Sequence, residues 1–159
     1  MKTISYNEAI KLLDSILENP IGFNQPLYII GATMELTDGL QKHLEKQPGA
    51  KNLNSHTILF IGDFLDQNGN LVSDINSRTQ PLADGSKRNA LEYVQDVTNK
   101  YNKEEYRLLY HKQYVMSPNW SAADRYIAKQ LSKPLVILLD PMSVPDKFLD
   151  FEFIKCVKD

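Results

Sequence analysis

The sequence predicts a single α/β domain of three layers, in which a mostly parallel sheet is flanked by helices. Short continuous apolar runs alternate with segments whose apolar residues recur at helical spacing, which is typical of a parallel sheet covered on both faces. The 159 residues have the length of one ordinary domain. A content of 42% apolar and 24% charged residues indicates a globular chain rather than a disordered one.

Four helices are predicted from start signals and from apolar spacing. The first, at about 6–18, begins with a capping box formed by Ser5 and Glu8. Ser121 and Asp124 are expected to cap the fourth helix. The other two are predicted from apolar residues at helical spacing, which are Leu36, Leu40 and Leu44 in the second helix, and Leu91, Val94, Val97 and Tyr101 in the third, at about 87–102.

The predicted strands are apolar runs rich in residues that favour β structure. They lie at residues 27–30, 57–61, 106–110, 135–139 and 151–157. The last strand is expected at an edge of the sheet, where the pattern is also compatible with an antiparallel orientation. Asp, Asn, Ser, Gly and Pro dominate residues 66–86, which predicts a long surface loop.

Charge and cysteine content exclude several classes of function. The net charge of -2 and the pI near 5.9 do not favour nucleic acid or anionic lipid as a partner. Cys156 is the only cysteine, so we expect a buried apolar role for it and no internal disulfide.

The N-terminus lacks the apolar core of a signal peptide, and no run approaches the length of a membrane span. We therefore expect a cytoplasmic protein without membrane contact. The sequence also contains no nucleotide-cofactor motif.

The best candidate for chemistry is Asp63, which follows a predicted strand and Gly62. In open α/β sheets, ligands bind beyond the carboxyl ends of the strands. A carboxylate there suits a hard metal ion, although an aspartate in such a loop also commonly caps the next turn. Asp66 and His111 are the other candidates for catalysis, because they also lie near predicted strand ends.

Residues 27–116 resemble the calcineurin-like metallophosphoesterase family in the order of their strands and helices. The segment Gly62-Asp63-Phe64-Leu65-Asp66 matches the family's second metal motif, G-D-x-x-D, at a fitting spacing. The resemblance implies a phosphoester hydrolase with a two-metal centre.

The sequence departs from that family at the other metal motifs. Ala32 and Met34 stand where the family has its first aspartate and histidine, and Tyr110-His111-Lys112-Gln113 stands in place of G-N-H-E. Of the usual ligands only Asp63 remains, and one carboxylate cannot hold a two-metal cluster. The resemblance therefore implies a degenerate member without a metal cofactor.

Two further resemblances have less support in the residues. In serine hydrolases that open with G-D-S-L, a serine stands where this chain has Phe64, so the nucleophile is missing. The segment Ser117-Pro118-Asn119-Trp120 is similar to a loop of nucleoside deoxyribosyltransferases and TIR domains, whose glutamate follows on a helix. The corresponding helix here offers Asp124, for which capping is the preferred interpretation.

Aromatic residues with polar tips are concentrated after the third helix. The members that we take as candidate binding residues are Tyr110, Tyr114, Trp120 and Tyr126. Such residues are enriched at protein interfaces, although a tyrosine-rich core would give the same pattern. With the long loop, they predict a contact surface.

Two hypotheses follow from the sequence. The leading one is a non-catalytic α/β domain that acts through a protein partner, as a degenerate phosphoesterase-like protein. The alternative is a phosphoester hydrolase or nucleotide-handling enzyme whose site lies around Asp63, with Asp66, His111 and Asp124 in an arrangement that matches no known motif.

Overall fold

The computed structural model describes residues 2–53, 65–66, 70, 90–144 and 153–159. The elements in chain order are β1 (Lys2–Ser5), α1 (Tyr6–Glu18), β2 (Leu27–Gly31), α2 (Met34–Glu45), β3 (Ala50–Asn52), α3 (Ala90–Lys103), β4 (Leu108–Gln113), α4 (Pro118–Gln130), β5 (Leu135–Leu139) and β6 (Phe153–Val157). A short 3-10 turn at Pro141–Ser143 follows β5. The six strands within the described residues form one sheet in the order β1-β6-β2-β5-β4-β3, and each pair of neighbouring strands is parallel.

Helices cover both faces of the sheet. On one face, α1 and α2 pack on inward-facing residues of the central strands, and the helical members of this cluster are Ala9, Leu13, Ile16, Leu40 and Leu44. On the other face, α4 contributes Ala123, Ile127 and Ala128, and Tyr101 of α3 packs at the margin of the same cluster. β5 is buried along its whole length because helices cover both of its faces. The prediction of a three-layer α/β domain is confirmed.

Local sequence signals located α1 correctly. The Ser5 side chain accepts a hydrogen bond from the Glu8 backbone at 3.1 Å, and the Glu8 carboxylate accepts one from the Ser5 backbone at 3.3 Å. This capping box satisfies donors that the first turn of a helix leaves without partners. The apolar run 135–139 likewise coincides with β5.

The expected edge position of the last strand, with an antiparallel orientation, is wrong. β6 lies inside the sheet between β1 and β2 and is parallel to both. The reason is β1, which has only four residues, two of them exposed, and carries no apolar run. Because this strand is not recognisable by itself, the sequence shows no neighbour for β6 on that side.

Several predictions fall on residues that the structure does not describe. These are the strand at 57–61, the segment 62–64 and all of the loop 66–86 except residues 66 and 70. Cys156 is fully buried in the sheet, as expected for a small apolar side chain. Among the described helices, none combines the length and apolar character needed to cross a membrane.

Candidate functional site

The start of α4 differs from the prediction and places a carboxylate in the core. The N-cap is Ser117, whose side chain accepts a hydrogen bond from the Trp120 backbone at 3.2 Å. Pro118 takes the first helical position, where its missing N–H costs nothing. Ser121 and Asp124 therefore do not cap the helix. They lie on its inner face and are buried.

Asp124 lies over a row of side chains that crosses the sheet. In the strand register, Tyr28 of β2 and His111 of β4 are both partners of Ile137 in β5. The Tyr28 hydroxyl donates a hydrogen bond to Asp124 Oδ2 at 3.1 Å, and His111 Nε2 lies 3.6 Å from Asp124 Oδ1. The Trp120 ring stacks on the His111 ring with centroids 5.9 Å apart. One carboxylate thus joins α4 to two strands of the sheet.

Burial dominates the electrostatics of this cluster. It raises the pKa of Asp124, and the neighbouring side chains of His111, Tyr28 and Gln113 oppose the rise only in part. Burial and the Asp124 carboxyl also raise the pKa of the Tyr28 phenol. Because His111 and Asp124 are 0% exposed, this cluster holds the fold together and does not meet a substrate in this conformation.

Gln113 connects the buried cluster to the loop that follows β4. Its side-chain N–H donates to the Val115 carbonyl at 3.1 Å and also contacts the Met116 sulfur at 3.1 Å. Gln113 Oε1, Ser121 Oγ and Asp124 Oδ1 are buried without a hydrogen-bond partner within the described part of the chain. The cluster therefore contains acceptor oxygens of Gln113 and Ser121 and would gain a proton donor if the Asp124 carboxyl were neutral.

An ion triad lies at the carboxyl ends of β4 and β5. Lys112 Nζ is 2.8 Å from Asp38 Oδ1 of α2 and 3.4 Å from Asp140 Oδ2, which follows β5. Asp38, through its hydrogen bond and charge, and the charge of Asp140 raise the pKa of Lys112, and Lys112 in turn lowers the pKa of Asp38. The amine therefore stays charged at neutral pH, which makes it a crosslink between three elements and not a nucleophile.

The N-terminus of α2 is hydrogen-bonded to the same end of the sheet, where the strands have their carboxyl ends. The hydroxyl of the fully buried Thr37 donates to the Leu139 carbonyl at the end of β5, at 3.2 Å. The Ala32 backbone N–H donates to the Cys156 carbonyl at 2.8 Å. The loop after β2 is thus held by the strands on both sides of it.

Exposed apolar side chains lie a few residues beyond the carboxyl ends of three neighbouring strands. We call the following set the carboxyl rim: Met34, 57% exposed, Tyr114, 76%, Val115, 40%, and Met142, 92%. These residues follow β2, β4 and β5, which are neighbours in the sheet, so their loops lie side by side. The Met116 N–H donates to the Ser143 carbonyl at 2.7 Å, which joins the loops of Val115 and Met142.

Of the three predicted catalytic candidates, the structure describes Asp66 and His111. Asp63 lies outside the described residues. Asp66 is exposed and accepts a hydrogen bond from the Asn70 backbone at 3.0 Å. His111, by contrast, is fully buried beneath α4.

The predicted binding residues are spread over different surroundings. Tyr110 is 2% exposed and belongs to the apolar cluster under α1 and α2. Trp120 and Tyr126 are partly buried against the opposite cluster. Only Tyr114 projects into solvent. Sequence reasoning missed Met34 and Met142, although each lies three residues after the end of a strand.

In the part of the chain that the structure describes, no group of three or more His, Cys, Asp or Glu side chains is arranged to hold a metal ion. No family model, curated protein or solved structure matches this chain.

Proposed function

We propose that this chain is a non-catalytic α/β domain that acts through a protein partner, and that the partner docks on the carboxyl rim. The observation that carries the proposal is the exposure of Met34, Tyr114, Val115 and Met142, which follow three neighbouring strands of the sheet. Single exposed apolar residues are common, but a group of them at one place marks an interaction surface. Methionine and tyrosine are also among the residues that interfaces favour.

The rigidity of the rim supports docking without a large ordering cost. The Lys112 triad fixes α2 to the loop after β5, and the hydrogen bond between Met116 and Ser143 fixes that loop to the one after β4. A surface that is ordered before binding loses less conformational entropy when a partner arrives.

The engagement of the titratable groups supports a non-catalytic role. His111 and Asp124 contact each other inside the core, and Lys112 is paired with two carboxylates. These residues therefore support the fold. The degenerate phosphoesterase-like origin rests on the sequence resemblance and on Lys112, which stands where that family has a metal-binding motif.

Site-specific photo-crosslinking tests the proposal. Benzoylphenylalanine replaces Tyr114 in one chain and Phe23 in a control, and both are expressed in cells of the organism that encodes the protein. Phe23 is 44% exposed and precedes β2, so it lies toward the opposite edge of the sheet. We expect an adduct with one protein from position 114, no such adduct from position 23, and loss of the adduct when Met142→Asp is added.

Two results would contradict the proposed function. One is the absence of a protein adduct at position 114, or equal adducts from both positions. The other is phosphoester turnover by the purified chain that Asp63→Asn abolishes, because that result establishes the enzymatic alternative.

A further inference from the structure

We infer that the partner segment is an amphipathic helix that carries basic residues beside its apolar face; this inference rests on the proposed function. The observation behind it is the charge around the carboxyl rim. Glu35 is exposed and follows Met34 directly, and Asp38 lies one turn further along α2 with 47% of its side chain exposed. Asp140 precedes Met142 by two residues.

The charge balance at the rim is negative. Lys112 is shared by Asp38 and Asp140, and the charge of Lys42, one turn further along α2, also acts on Asp38. Among the described residues, the three carboxylates of Glu35, Asp38 and Asp140 therefore face two ammonium groups, which leaves an excess of one negative charge. The low pKa of Asp38 keeps its carboxylate ionised at neutral pH. An apolar surface with an acidic margin attracts apolar groups that are flanked by cations.

The same charge disfavours the other classes of occupant. In a two-fold dimer the rim would face its own copy, and like charges would oppose each other across the interface. Anionic lipid and nucleic acid both carry the sign that the rim repels, and the chain as a whole has a net charge of -2. A basic protein segment is the occupant that complements both the apolar and the charged features.

The spacing of the loops fits one face of a helix. The rim extends from the end of β2 across β5 to the end of β4. Two strand spacings cover about 10 Å, and seven residues of α-helix rise by about 10.5 Å. Apolar side chains at positions i, i+3 or i+4, and i+7 would therefore match the row of loops, and methionine side chains adapt readily to such a face.

The test uses two fluorescein-labelled model helices of about 18 residues, long enough to form a helix on binding. Both carry the same leucine face, and their polar faces are either all lysine or all glutamate. Fluorescence anisotropy with the whole chain is expected to show binding of the leucine/lysine helix at least about tenfold tighter than that of the leucine/glutamate helix. Added salt should reduce the difference.

Matched variants locate the binding. Glu35→Lys at the start of α2 should weaken binding of the leucine/lysine helix, whereas Glu45→Lys at the exposed end of the same helix should not. The double change of Tyr114 and Met142 to serine should abolish binding. Serine at Ile21 and Phe23, which are exposed before β2, is the control for loss of apolar surface elsewhere. Thermal unfolding of each variant confirms that the fold is kept.

Several outcomes would overturn the inference. Failure of the leucine/lysine helix to bind does so, as does equal binding of the two helices or binding that the rim variants leave unchanged. Rim-dependent dimers in sedimentation velocity, or rim-dependent binding of phosphatidylserine vesicles, would assign the surface to another occupant. If one of these occurs while position 114 still crosslinks to a protein other than a second copy of this chain, protein docking stands and only the inferred basic, helical character of the partner segment fails. If no adduct forms, the proposed function itself fails.

Discussion

Replacing Gly31 with alanine is expected to lower the free energy of unfolding by about 3 kcal/mol, at the upper end of the cost of overpacking. A Cβ at this position would lie 2.2 Å from Thr37 Oγ1, 2.8 Å from the Thr33 carbonyl oxygen and 2.8 Å from the Thr37 amide nitrogen. Two of these atoms belong to the backbone. The Thr37 hydroxyl is buried and hydrogen-bonded to the Leu139 carbonyl, so it cannot move away from the added Cβ without losing that hydrogen bond. The first turn of α2 would have to move away from the sheet.

Gly49→Ala is the matched control for this prediction. The nearest atom to a Cβ there is Arg107 Cδ at 3.3 Å, which belongs to a long side chain that can shift by a few tenths of an ångström. Urea unfolding of both variants should therefore give a small loss for Gly49→Ala and a large one for Gly31→Ala. Equal losses would show that α2 is not packed on the end of β2 as closely as described.

The elements that the sequence predicted well are those defined by neighbouring residues. The capping box of Ser5 and Glu8 lies within one turn, and it gave the start of α1. β5 is an uninterrupted apolar run followed by Asp140 and Pro141, so its limits are visible without knowledge of its partners. In both cases the signal and the structure occupy the same few residues.

The features that the sequence could not predict depend on residues far apart in the chain. β1 becomes a strand by pairing with β6, about 150 residues later, as the register of Ile4 with Cys156 shows. Asp124 contacts Tyr28 across 96 positions of sequence. A serine or aspartate near a predicted helix start usually caps it, and only the packing of α4 on the sheet shows that Asp124 is an interior residue.

Of the four residues of the carboxyl rim, the sequence predicts one, Tyr114, as a binding residue. The sequence pointed to the carboxyl ends of the strands, and the loops after β2, β4 and β5 form the rim there. The aromatic pattern contributed Tyr114 alone to that surface. Exposed methionines resemble core residues in a sequence, because their side chains are apolar. Exposure is a property of the folded chain, so Met34 and Met142 were not recognisable beforehand.

Asp124→Ala is the second substitution with a large expected effect. It leaves the buried Tyr28 hydroxyl without its acceptor, and an unsatisfied buried group of this kind costs about 1–3 kcal/mol. Asp124→Asn is the matched control, because an amide keeps an oxygen for Tyr28. Its N–H groups also bring donors to the region of Gln113 Oε1 and Ser121 Oγ, which have no partner in the described residues. In urea unfolding at neutral pH, asparagine should be tolerated and alanine should not. Equal losses for the two variants would show that the hydrogen bond contributes little.

The wild type and Asp124→Asn should also differ in how the free energy of unfolding depends on pH. The pKa of Asp124 in the folded chain is raised by burial, whereas an unfolded aspartate has a pKa of about 3.9. The folded chain therefore holds this proton more tightly than the unfolded chain does. Its stabilising contribution is complete below the unfolded pKa and is lost as pH rises through the folded pKa.

Asparagine cannot titrate. The free energy of unfolding of the wild type minus that of the Asp124→Asn variant therefore isolates the contribution of Asp124 from that of the other carboxylates. Among these, Asp38 has a lowered pKa and acts in the opposite direction. We expect the difference to move against the wild type as pH is raised from about 4 toward neutral. A difference that is constant over this range would mean that the core does not raise the pKa of Asp124. A difference that moves in favour of the wild type as pH rises would mean that the core stabilises the charged carboxylate of Asp124. In that case the contact with His111 would outweigh burial, and the cluster would be an ion pair that a neutral carboxyl disrupts.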